Sequence, residues 1–398
     1  MTLYAVLARP ELFLGSGADP GPIVVVAVEA VASVPQGHAS ILVRPASLVA
    51  TAVLALAEPA GMRAAEAVPF EINAHDAAAR RAMRETWQRL GLAEALAPLQ
   101  MIAIEDGQAR LYHRIETGPA GTLFTAIGSV ALAEPLPAAI PMLAEVAHRG
   151  RALFFAAQAA FNPGMGRTNW KPGVELERKF TFAVQPDRRI APMDTWRLHQ
   201  ALYGELRADA WAGFIPEFNE EFHVWDYESA MFEVTGPAHA QGYIAFIPQF
   251  DRRVTLKYKR FKEDAEQRYE DIANNVELES SAYLEYAGAL SHGDVAELPG
   301  FRRKRFDCDL ESLATGNAYG IFFDICRTTD GSEATLSQCE VEYLRTRSLL
   351  PVTDVEAEFN RVCALTHDFL NRRNADHQAG YYSKLSFVRE IAQQRGAR

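Results

Sequence analysis

Apolar and charged residues alternate along several short segments in the second part of the chain. The segment GVELERKFTF places Glu175, Glu177 and Lys179 at every second position, between residues that are mostly apolar, with Arg178 as the exception. Alternation with a period of two is the pattern of a β-strand whose two faces meet different surroundings. The apolar face can pack on a core, and the charged face must meet water, a metal ion or an anion.

Further segments repeat this pattern with acids and bases kept apart. VTLKYKRF places Lys257 and Lys259 on one face, and LSQCEVEYL places Glu340 and Glu342 on one face. One such strand is ordinary in an antiparallel sheet with a solvated face. Several strands that separate the two signs are harder to explain in that way, since like charges held opposite each other cost free energy. The pattern indicates the lining of a closed barrel, in which acids hold a hard divalent cation and bases hold a polyanion.

In one strongly basic segment, the sequence does not show which face of the strand points inward. GFRRKRFDCDL carries four consecutive bases, so that either face of a strand would be basic. We favour Arg303 and Arg305 on the functional face, although the alternation does not decide it. RYEDI adds Arg268 and Glu270, and GIFFDICRT supplies a further strand that contains Asp324.

Residues 351–373 predict a helix that packs against the outside of such a barrel. Apolar residues recur on one face, and Thr353 and Glu356 have the spacing of a capping box. Cys363 and His367 lie four residues apart, a spacing that can bind a metal ion. Filling of the core is the more common role of residues at this spacing.

The first part of the chain mixes strand-like and helix-like segments. Residues 23–31, 99–104 and 151–158 predict strands, and residues 74–92 and 137–150 predict helices. This order of elements predicts an α/β domain.

Lysine usage marks the boundary between the two parts. No lysine occurs before Lys171, and NPGMGRTNWKPG contains three glycines and two prolines, which is typical of a linker. We therefore place an α/β accessory domain at residues 1–160, a linker at 161–173 and a second domain at 174–398.

Composition excludes several classes of protein. A chain of 398 residues with 48% hydrophobic residues can bury a sizeable core, and a net charge of −11 argues against general nucleic-acid binding. Four cysteines without CxxC spacing fit a reducing compartment. The first residues lack the pattern of a signal peptide, and the apolar run at residues 22–34 is too short to span a bilayer. We expect a soluble bacterial cytoplasmic protein without a membrane partner.

ELERKF fits the ExExK signature of the CYTH, or triphosphate tunnel metalloenzyme, superfamily, and about residues 174–390 resemble this family. The segments that follow in matching order are VWDYESAMFEV, YIAFIPQFDRRVTLKYKRF, the basic strand, GIFFDICRT, CEVEYL and YYSKLSFV. The resemblance implies an α+β fold, with an antiparallel eight-stranded β tunnel and flanking helices that binds triphosphates with Mg²⁺ or Mn²⁺. Members of the family include inorganic, thiamine and RNA triphosphatases and class IV adenylate cyclases.

The resemblance also implies roles for individual residues. Glu175, Glu177 and Glu340 resemble metal ligands, and Glu342 resembles the acid that positions water. Lys384 resembles a phosphate contact or a general base, while a surface lysine near the terminus is an equal alternative. The residues expected to bind phosphate are Lys179, Lys257, Lys259, Arg268, Arg303 and Arg305.

Three functions follow from the same set of residues. We favour divalent-metal-dependent hydrolysis of inorganic triphosphate or of a nucleoside or organic triphosphate. The alternatives are a class IV-type adenylate cyclase, and a non-catalytic module that binds polyphosphate or nucleotide and regulates the first domain. Residues 180–220 are longer and richer in aromatics than a minimal tunnel needs, which points to a modified entrance or substrate.

The first part of the chain weakly resembles half of a thiolase-type fold, as in β-ketoacyl synthases. The matching pieces are RLGLAEALAPLQMIAIEDG, GTLFTAIGSVALAEPLP and HRGRALFFAAQ. This part contains no cysteine, so the resemblance implies a domain that is inactive as a condensing enzyme. A generic accessory or dimerisation domain is equally compatible, and the sequence leaves a homodimer open.

Overall fold

The computed structural model divides the chain into two compact units, with the first break between Thr168 and Asn169. The first unit also takes in Ser312–Asn317 and Arg345–Thr353. Within the residues that the structure describes, no helix is long and apolar enough to cross a membrane. The described residues are 2–8, 23–30, 37–43, 48–58, 61–63, 70–71, 88, 97–118, 121–134, 167–182, 192–217, 223–249, 251–332, 334–347 and 351–396.

The first unit contains a nine-stranded sheet in which each described pairing is antiparallel. A tight turn at Asp106 and Gly107, which both have positive φ, joins two of its strands directly. The strand order is β3-β9-β8-β7-β1-β2-β4-β5, with β6 beside β4. The strands are β1 (Thr2–Ala8), β2 (Ile23–Ala30), β3 (Ser40–Val43), β4 (Leu48–Glu58), β5 (Gly61–Arg63), β6 (Phe70–Glu71), β7 (Ala97–Glu105), β8 (Gln108–Gly118) and β9 (Gly121–Ala131).

Two of the strands predicted in this unit are confirmed, those at 23–31 and 99–104. The predicted elements at 74–92, 137–150 and 151–158 lie outside the described residues, apart from Gln88, which is helical. The strand–helix order expected of an α/β domain implies that neighbouring strands are parallel, whereas each described pair of neighbouring strands is antiparallel. The thiolase-type resemblance and the domain limits stay predictions.

Eight strands of the second sheet form a closed antiparallel barrel, which confirms the predicted α+β fold with an eight-stranded tunnel. The barrel order is β11-β16-β15-β14-β13-β17-β18-β19, and β19 pairs again with β11. The strands of this sheet are β10 (Arg167–Thr168), β11 (Val174–Phe182), β12 (Phe214–Pro216), β13 (His223–Thr235), β14 (Gly242–Pro248), β15 (Arg253–Arg260), β16 (Gln267–Glu277), β17 (Asp294–Ser312), β18 (Asn317–Thr328), β19 (Thr335–Arg347) and β20 (His377–Gly380).

The helices described in this part of the chain are short and flank the barrel. They are α1 (Pro192–Arg207), α2 (Tyr283–Ser291), α3 (Val355–Arg372) and α4 (Lys384–Gly396), with a single 3₁₀ turn at Ser280–Ala282.

Helix α3 confirms the predicted helix and its apolar face, since Val355, Phe359 and Val362 are buried. The predicted capping box of Thr353 and Glu356 is wrong. The residue before the helix is Asp354, which has a left-handed backbone (φ 57°) and makes no capping hydrogen bond from its side chain. A capping box needs an extended residue directly before the helix, and Thr353 stands one position too early.

Helix α4 closes one end of the tunnel. Leu385 and Val388 pack in one apolar cluster with Met231, Phe301 and other residues of the barrel. Met231 lies two positions beyond Ser229, which lines the interior, so it shares the inward face of β13. The barrel interior is therefore apolar at this end and charged beyond it.

Candidate active site inside the β tunnel

The barrel register sets opposite charges next to each other on the inner face. Lys179 of β11 lies opposite Glu340 of β19, and Glu175 lies opposite Arg268 of β16. Inward positions recur at every second residue, so each strand contributes its charged face to the same interior.

The inner faces line a cavity inside the barrel. Every residue that the sequence predicted for the site lines it, although the roles of these residues stay predictions. Arg303 and Arg305 line the interior, while Arg302 and Lys304 are 61% and 43% exposed and pair with Asp226. The lining consists of Glu175, Glu177, Lys179, Tyr227, Ser229, Tyr243, Ala245, Ile247, Lys257, Lys259, Arg268, Phe301, Arg303, Arg305, Glu340, Glu342 and Lys384.

Three carboxylates form a cluster in this cavity. Glu175, Glu177 and Glu342 each offer an oxygen, and these oxygens lie within 4.8 Å of one another. Burial and the neighbouring Glu175 carboxylate raise the pKa of Glu342 to about 7. Burial alone would raise the pKa of Glu175, but Lys259 and Arg268 hold it well below its usual range.

The cluster is chemically suited to a hard divalent cation. Glu175 Oε2 and Glu177 Oε2 are both buried, and Arg268 forms an ion pair with each of these two oxygens. Carboxylate oxygens are the ligands that Mg²⁺ and Mn²⁺ prefer. The structure thus brings Glu342, which was predicted as catalytic, to the two acids of β11.

Glu340, which was predicted as a metal ligand, has different surroundings. It accepts hydrogen bonds from Lys179 Nζ and Lys384 Nζ, each at 2.6 Å, and from Arg305. Burial alone would raise the pKa of Glu340, but these cations hold it well below its usual value. Glu340 therefore organises three buried bases around one carboxylate.

Lys384 is a residue of the interior and not of the surface. It is the first residue of α4 and is 8% exposed, and its Nζ also lies 3.1 Å from Asp324 Oδ2. Burial lowers the pKa of Lys384 from its usual value, although Glu340 and Asp324 act to raise it. The helix that closes the tunnel thus supplies one of its cations.

Two acids that hold the bases were not among the predicted site residues. Asp324 pairs with Arg305 at 2.7 Å, and Glu270 lies 3.3 Å from Lys259. The signal for Asp324 was available, because it is the one charged residue within the apolar run GIFFDIC, and a charge in a buried strand needs a partner. Tyr227 and Tyr243 were also missed, since an aromatic residue at a strand position is far more often part of a core.

The charged lining is nearly balanced between the two signs. Lys179, for example, lies 2.7 Å from Glu177, and Lys259 lies 2.5 Å from Glu175. Ion pairs of this kind compensate most of the buried charges, so a ligand that binds a paired side chain must displace the partner of that side chain. The bases are Lys179, Lys257, Lys259, Arg268, Arg303, Arg305 and Lys384, and the acids are Glu175, Glu177, Glu270, Asp324, Glu340 and Glu342.

No protein-family model matches the sequence, and no curated protein sequence matches it significantly. Among solved structures, the chain is similar to HpAC1 from Hippeastrum, a putative adenylyl cyclase described as having a dominant triphosphatase activity. The identity is 16% and the TM-score 0.30, over 55% of this chain and 95% of that one. The RNA triphosphatase Pct1 of S. pombe, solved with the Spt5 CTD, gives 13% identity and a TM-score of 0.27 over 62% and 97%.

A third similarity extends over almost the whole chain. The di-domain ARO/CYC protein StfQ of the steffimycin biosynthetic pathway gives 10% identity and a TM-score of 0.17, over 99% of each chain. Identities and scores this low assign neither a family nor an activity.

Proposed function

We propose that the protein is a divalent-metal-dependent triphosphate hydrolase whose substrate binds in the β tunnel. The observation that carries this proposal is that three clustered carboxylates and seven bases line the interior of one closed barrel. A metal-bound polyphosphate needs both kinds of group side by side. The resemblance of the ExExK and later ExE strands to triphosphate tunnel metalloenzymes supports the same reading.

The acids and the bases of the lining have different roles in the proposed reaction. Glu175, Glu177 and Glu342 would hold Mg²⁺ or Mn²⁺, which neutralises phosphate charge and polarises a nucleophile when bound. Lysine and arginine side chains of the lining bind phosphate oxygens and stabilise the charge that develops on them in transfer.

Lys384 is poorly placed to accept a proton from water, and Glu342, as a ligand of the ion, would have its raised pKa lowered by the bound cation. Lys384 donates a hydrogen bond to Glu340 and pairs with Asp324, which favours its charged form. We assign Lys384 to phosphate binding.

The closed end of the tunnel orients the substrate. Helix α4 fills the end near Met231 and Phe301, and Lys384 stands directly inside it. The terminal phosphate would lie at this end, and any organic group would extend the other way along β13.

Product analysis tests the proposal. Full-length protein is incubated with Mg²⁺ and either inorganic triphosphate or ATP, and phosphate, pyrophosphate and cyclic AMP are resolved. We expect release of phosphate that stops when EDTA removes the metal. Cyclic AMP with pyrophosphate would establish a cyclase instead, and tight binding without turnover would establish a binding module.

Substitution of a lining lysine should impair turnover. Lys259 is 12% exposed at its side chain and pairs with Glu175 and Glu270. A charge-assisted hydrogen bond to phosphate is worth about 1.5–3 kcal/mol, so Lys259→Ala should lower kcat/KM by roughly tenfold to a hundredfold. Lys262, two residues beyond β15 and exposed, is the matched control, and Lys262→Ala should change kcat/KM by less than about twofold. Equal tolerance of both substitutions would contradict a phosphate contact at Lys259.

Trp225 provides a test of an organic substrate. It lies two positions before Tyr227 on the inward face of β13, away from α4, and is 48% exposed. Its Nε1 donates a hydrogen bond of 2.6 Å to Asp307, which fixes the ring at this end. An exposed, fixed aromatic ring suits stacking on a heterocyclic base.

Trp225→Ala should therefore lower kcat/KM for a nucleoside triphosphate more than kcat/KM for inorganic triphosphate. Stacking of a base on an aromatic side chain is worth about 1–3 kcal/mol, so kcat/KM for ATP should fall by roughly fivefold to a hundredfold. Turnover of inorganic triphosphate should stay nearly constant. Trp196→Ala, on the exposed face of α1 (39% exposed), is the control. An equal loss for both substrates would rule out stacking on Trp225.

A further inference from the structure

Two histidines meet on the outer side of the barrel, away from the tunnel. His367 lies on α3 and His377 on β20, and the ring of Phe180 contacts both, with centroids 6.2 Å and 5.5 Å away. Phe180 alternates along β11 with Lys179, which lines the tunnel. The histidine pair therefore lies on the face of β11 opposite the cavity.

The two imidazole rings are joined nitrogen to nitrogen. His377 Nε2 lies 2.8 Å from His367 Nδ1, and His377 Nδ1 lies 2.7 Å from the carbonyl oxygen of Ala375. A carbonyl only accepts, so His377 Nδ1 carries a hydrogen. In the neutral pair, the lone pair of His377 then lies on Nε2, and one hydrogen lies between the two rings.

This arrangement matches the way proteins prepare a histidine to bind a metal ion. Metal-ligating histidines commonly donate the other ring N–H to a backbone carbonyl, which fixes the tautomer and the ring orientation. His377 already makes that bond with Ala375. A metal ion could take the place of the hydrogen between the two rings when His367 adopts its other neutral tautomer, with that hydrogen on Nε2.

The separation of the nitrogens also fits one ion. With metal–nitrogen bonds of about 2.0–2.1 Å, two ligands on the same ion are roughly 3 Å apart. The observed 2.8 Å needs a shift of a few tenths of an ångström. Because His367 is exposed, rotation of its ring can turn both lone pairs toward a common point.

The surroundings decide which ion the pair would take. Among the residues that the structure describes, only the tunnel carboxylates form a group of three or more possible metal ligands. The histidine pair therefore has no third protein ligand in this part of the chain. Cys363 stands one turn before His367, but it is 2% exposed, and burial raises the pKa of its thiol to about 12. Imidazole nitrogens favour Zn²⁺, Ni²⁺ and Cu²⁺ over Mg²⁺.

We propose that His367 and His377 form a second metal site, which takes a divalent transition-metal ion such as Zn²⁺ and keeps open positions for water or another ligand. Through β20, which pairs with β11 at Lys179 and Gly380, the ion would tie helix α3 to the strand that carries the tunnel acids. This site is independent of the activity proposed for the tunnel.

The test uses full-length protein without a histidine tag, stripped of metal and titrated with Zn²⁺ in excess Mg²⁺, which competes for the tunnel carboxylates. We expect one Zn²⁺ per chain. Removing a residue that only hydrogen-bonds to a metal ligand lowers the affinity for the metal by about tenfold to a hundredfold. His367→Gln and His377→Gln should each weaken binding at least as much, while His239→Gln, at an exposed turn, should not.

A spectroscopic readout separates a lost ligand from a lost fold. Cu²⁺ bound to the natural protein should show two coupled nitrogens by electron paramagnetic resonance, and each variant should show fewer. Circular dichroism confirms that the variants are folded. Unchanged Zn²⁺ affinity in both variants would overturn the proposal. So would Zn²⁺ binding that excess Mg²⁺ or Glu175→Gln abolishes, because the ion would then lie in the tunnel.

Discussion

Glu340→Gln is expected to lower the melting temperature by about 10 °C and to reduce turnover by about a hundredfold or more. The carboxylate accepts hydrogen bonds from Lys179, Lys384 and Arg305, all of which are buried. Removing one partner of a buried ion pair costs roughly 3–5 kcal/mol because the remaining charge is uncompensated. For a domain of this size each kcal/mol lowers Tm by about 2–4 °C. Loss of a group that stabilises charge in the transition state commonly lowers the rate by about 10²–10³-fold.

The same substitution should make the protein more responsive to an anion alone. Lys179 then keeps Glu177 as its partner, and Arg305 and Lys384 share Asp324. The three bases are therefore less fully paired and bind phosphate oxygens more readily. Inorganic triphosphate without divalent metal should therefore raise the Tm of Glu340→Gln by more than it raises the Tm of the natural protein. Differential scanning calorimetry with and without triphosphate measures both effects.

Glu279→Gln is the matched control for this experiment. Glu279 is 66% exposed at its side chain and pairs with the exposed Arg252 at 3.4 Å. Exposed pairs of this kind contribute about 0–1 kcal/mol, so Tm and turnover should stay close to those of the natural protein. If Glu340→Gln behaved as Glu279→Gln does, Glu340 would not organise the three bases.

The tunnel could be predicted from the sequence because its strands carry a local signal. Alternation is visible within nine residues, and Glu175, Glu177 and Lys179 show it without knowledge of their partners. The first sheet lacks such a signal. Strands such as β4, LVATAVLALAE, are apolar at nearly every position, so periodicity does not distinguish them from buried helix segments. The hairpin of β8 and β9 was missed for a related reason, since polar residues there do not alternate regularly.

The partners of the site residues could not be predicted, because they depend on registers between distant strands. Lys179 and Glu340 are 161 residues apart in the chain, and only barrel closure places them opposite each other. The inward face of the basic strand was undecided for the same reason. The inward face of this strand is set by two acids on neighbouring strands. Asp226 pairs with Arg302 and Lys304 on the outside of the barrel, and Asp324 pairs with Arg305 inside it.

The paired charges of the tunnel have a consequence for how ligands bind. An anion that binds alone must draw bases such as Lys259 away from carboxylates such as Glu175, which would leave buried acids without a partner. A cation that binds alone must displace Arg268 from the same acids. When both bind, the cation takes the carboxylates and the anion takes the bases, so no buried charge is left uncompensated.

Metal and triphosphate should therefore bind with strong positive coupling. Coupling free energies between sites typically change affinity by about 5–150-fold, and the number of ion pairs exchanged here places the expected effect near a hundredfold. The measurement is calorimetric titration of the full-length protein with imidotriphosphate, whose P–N–P bridges resist hydrolysis, once in EDTA and once in saturating Mg²⁺. Linkage requires that the ligand raise the affinity for Mg²⁺ by the same factor.

Glu177→Gln isolates the part of this coupling that the protein supplies. Magnesium also binds imidotriphosphate in solution, but that contribution is identical for both proteins and cancels in their comparison. Glu177 is 2% exposed, belongs to the carboxylate cluster and pairs with Arg268. Its loss should weaken the response to Mg²⁺ and strengthen binding of the anion in EDTA, because Arg268 is then less firmly held. The ratio of the two affinities should fall at least about tenfold below that of the natural protein, since one charged ligand and one ion pair are lost together. An unchanged ratio would mean that the tunnel acids do not mediate the coupling, and the assignment of Glu175, Glu177 and Glu342 to the metal would fail with it.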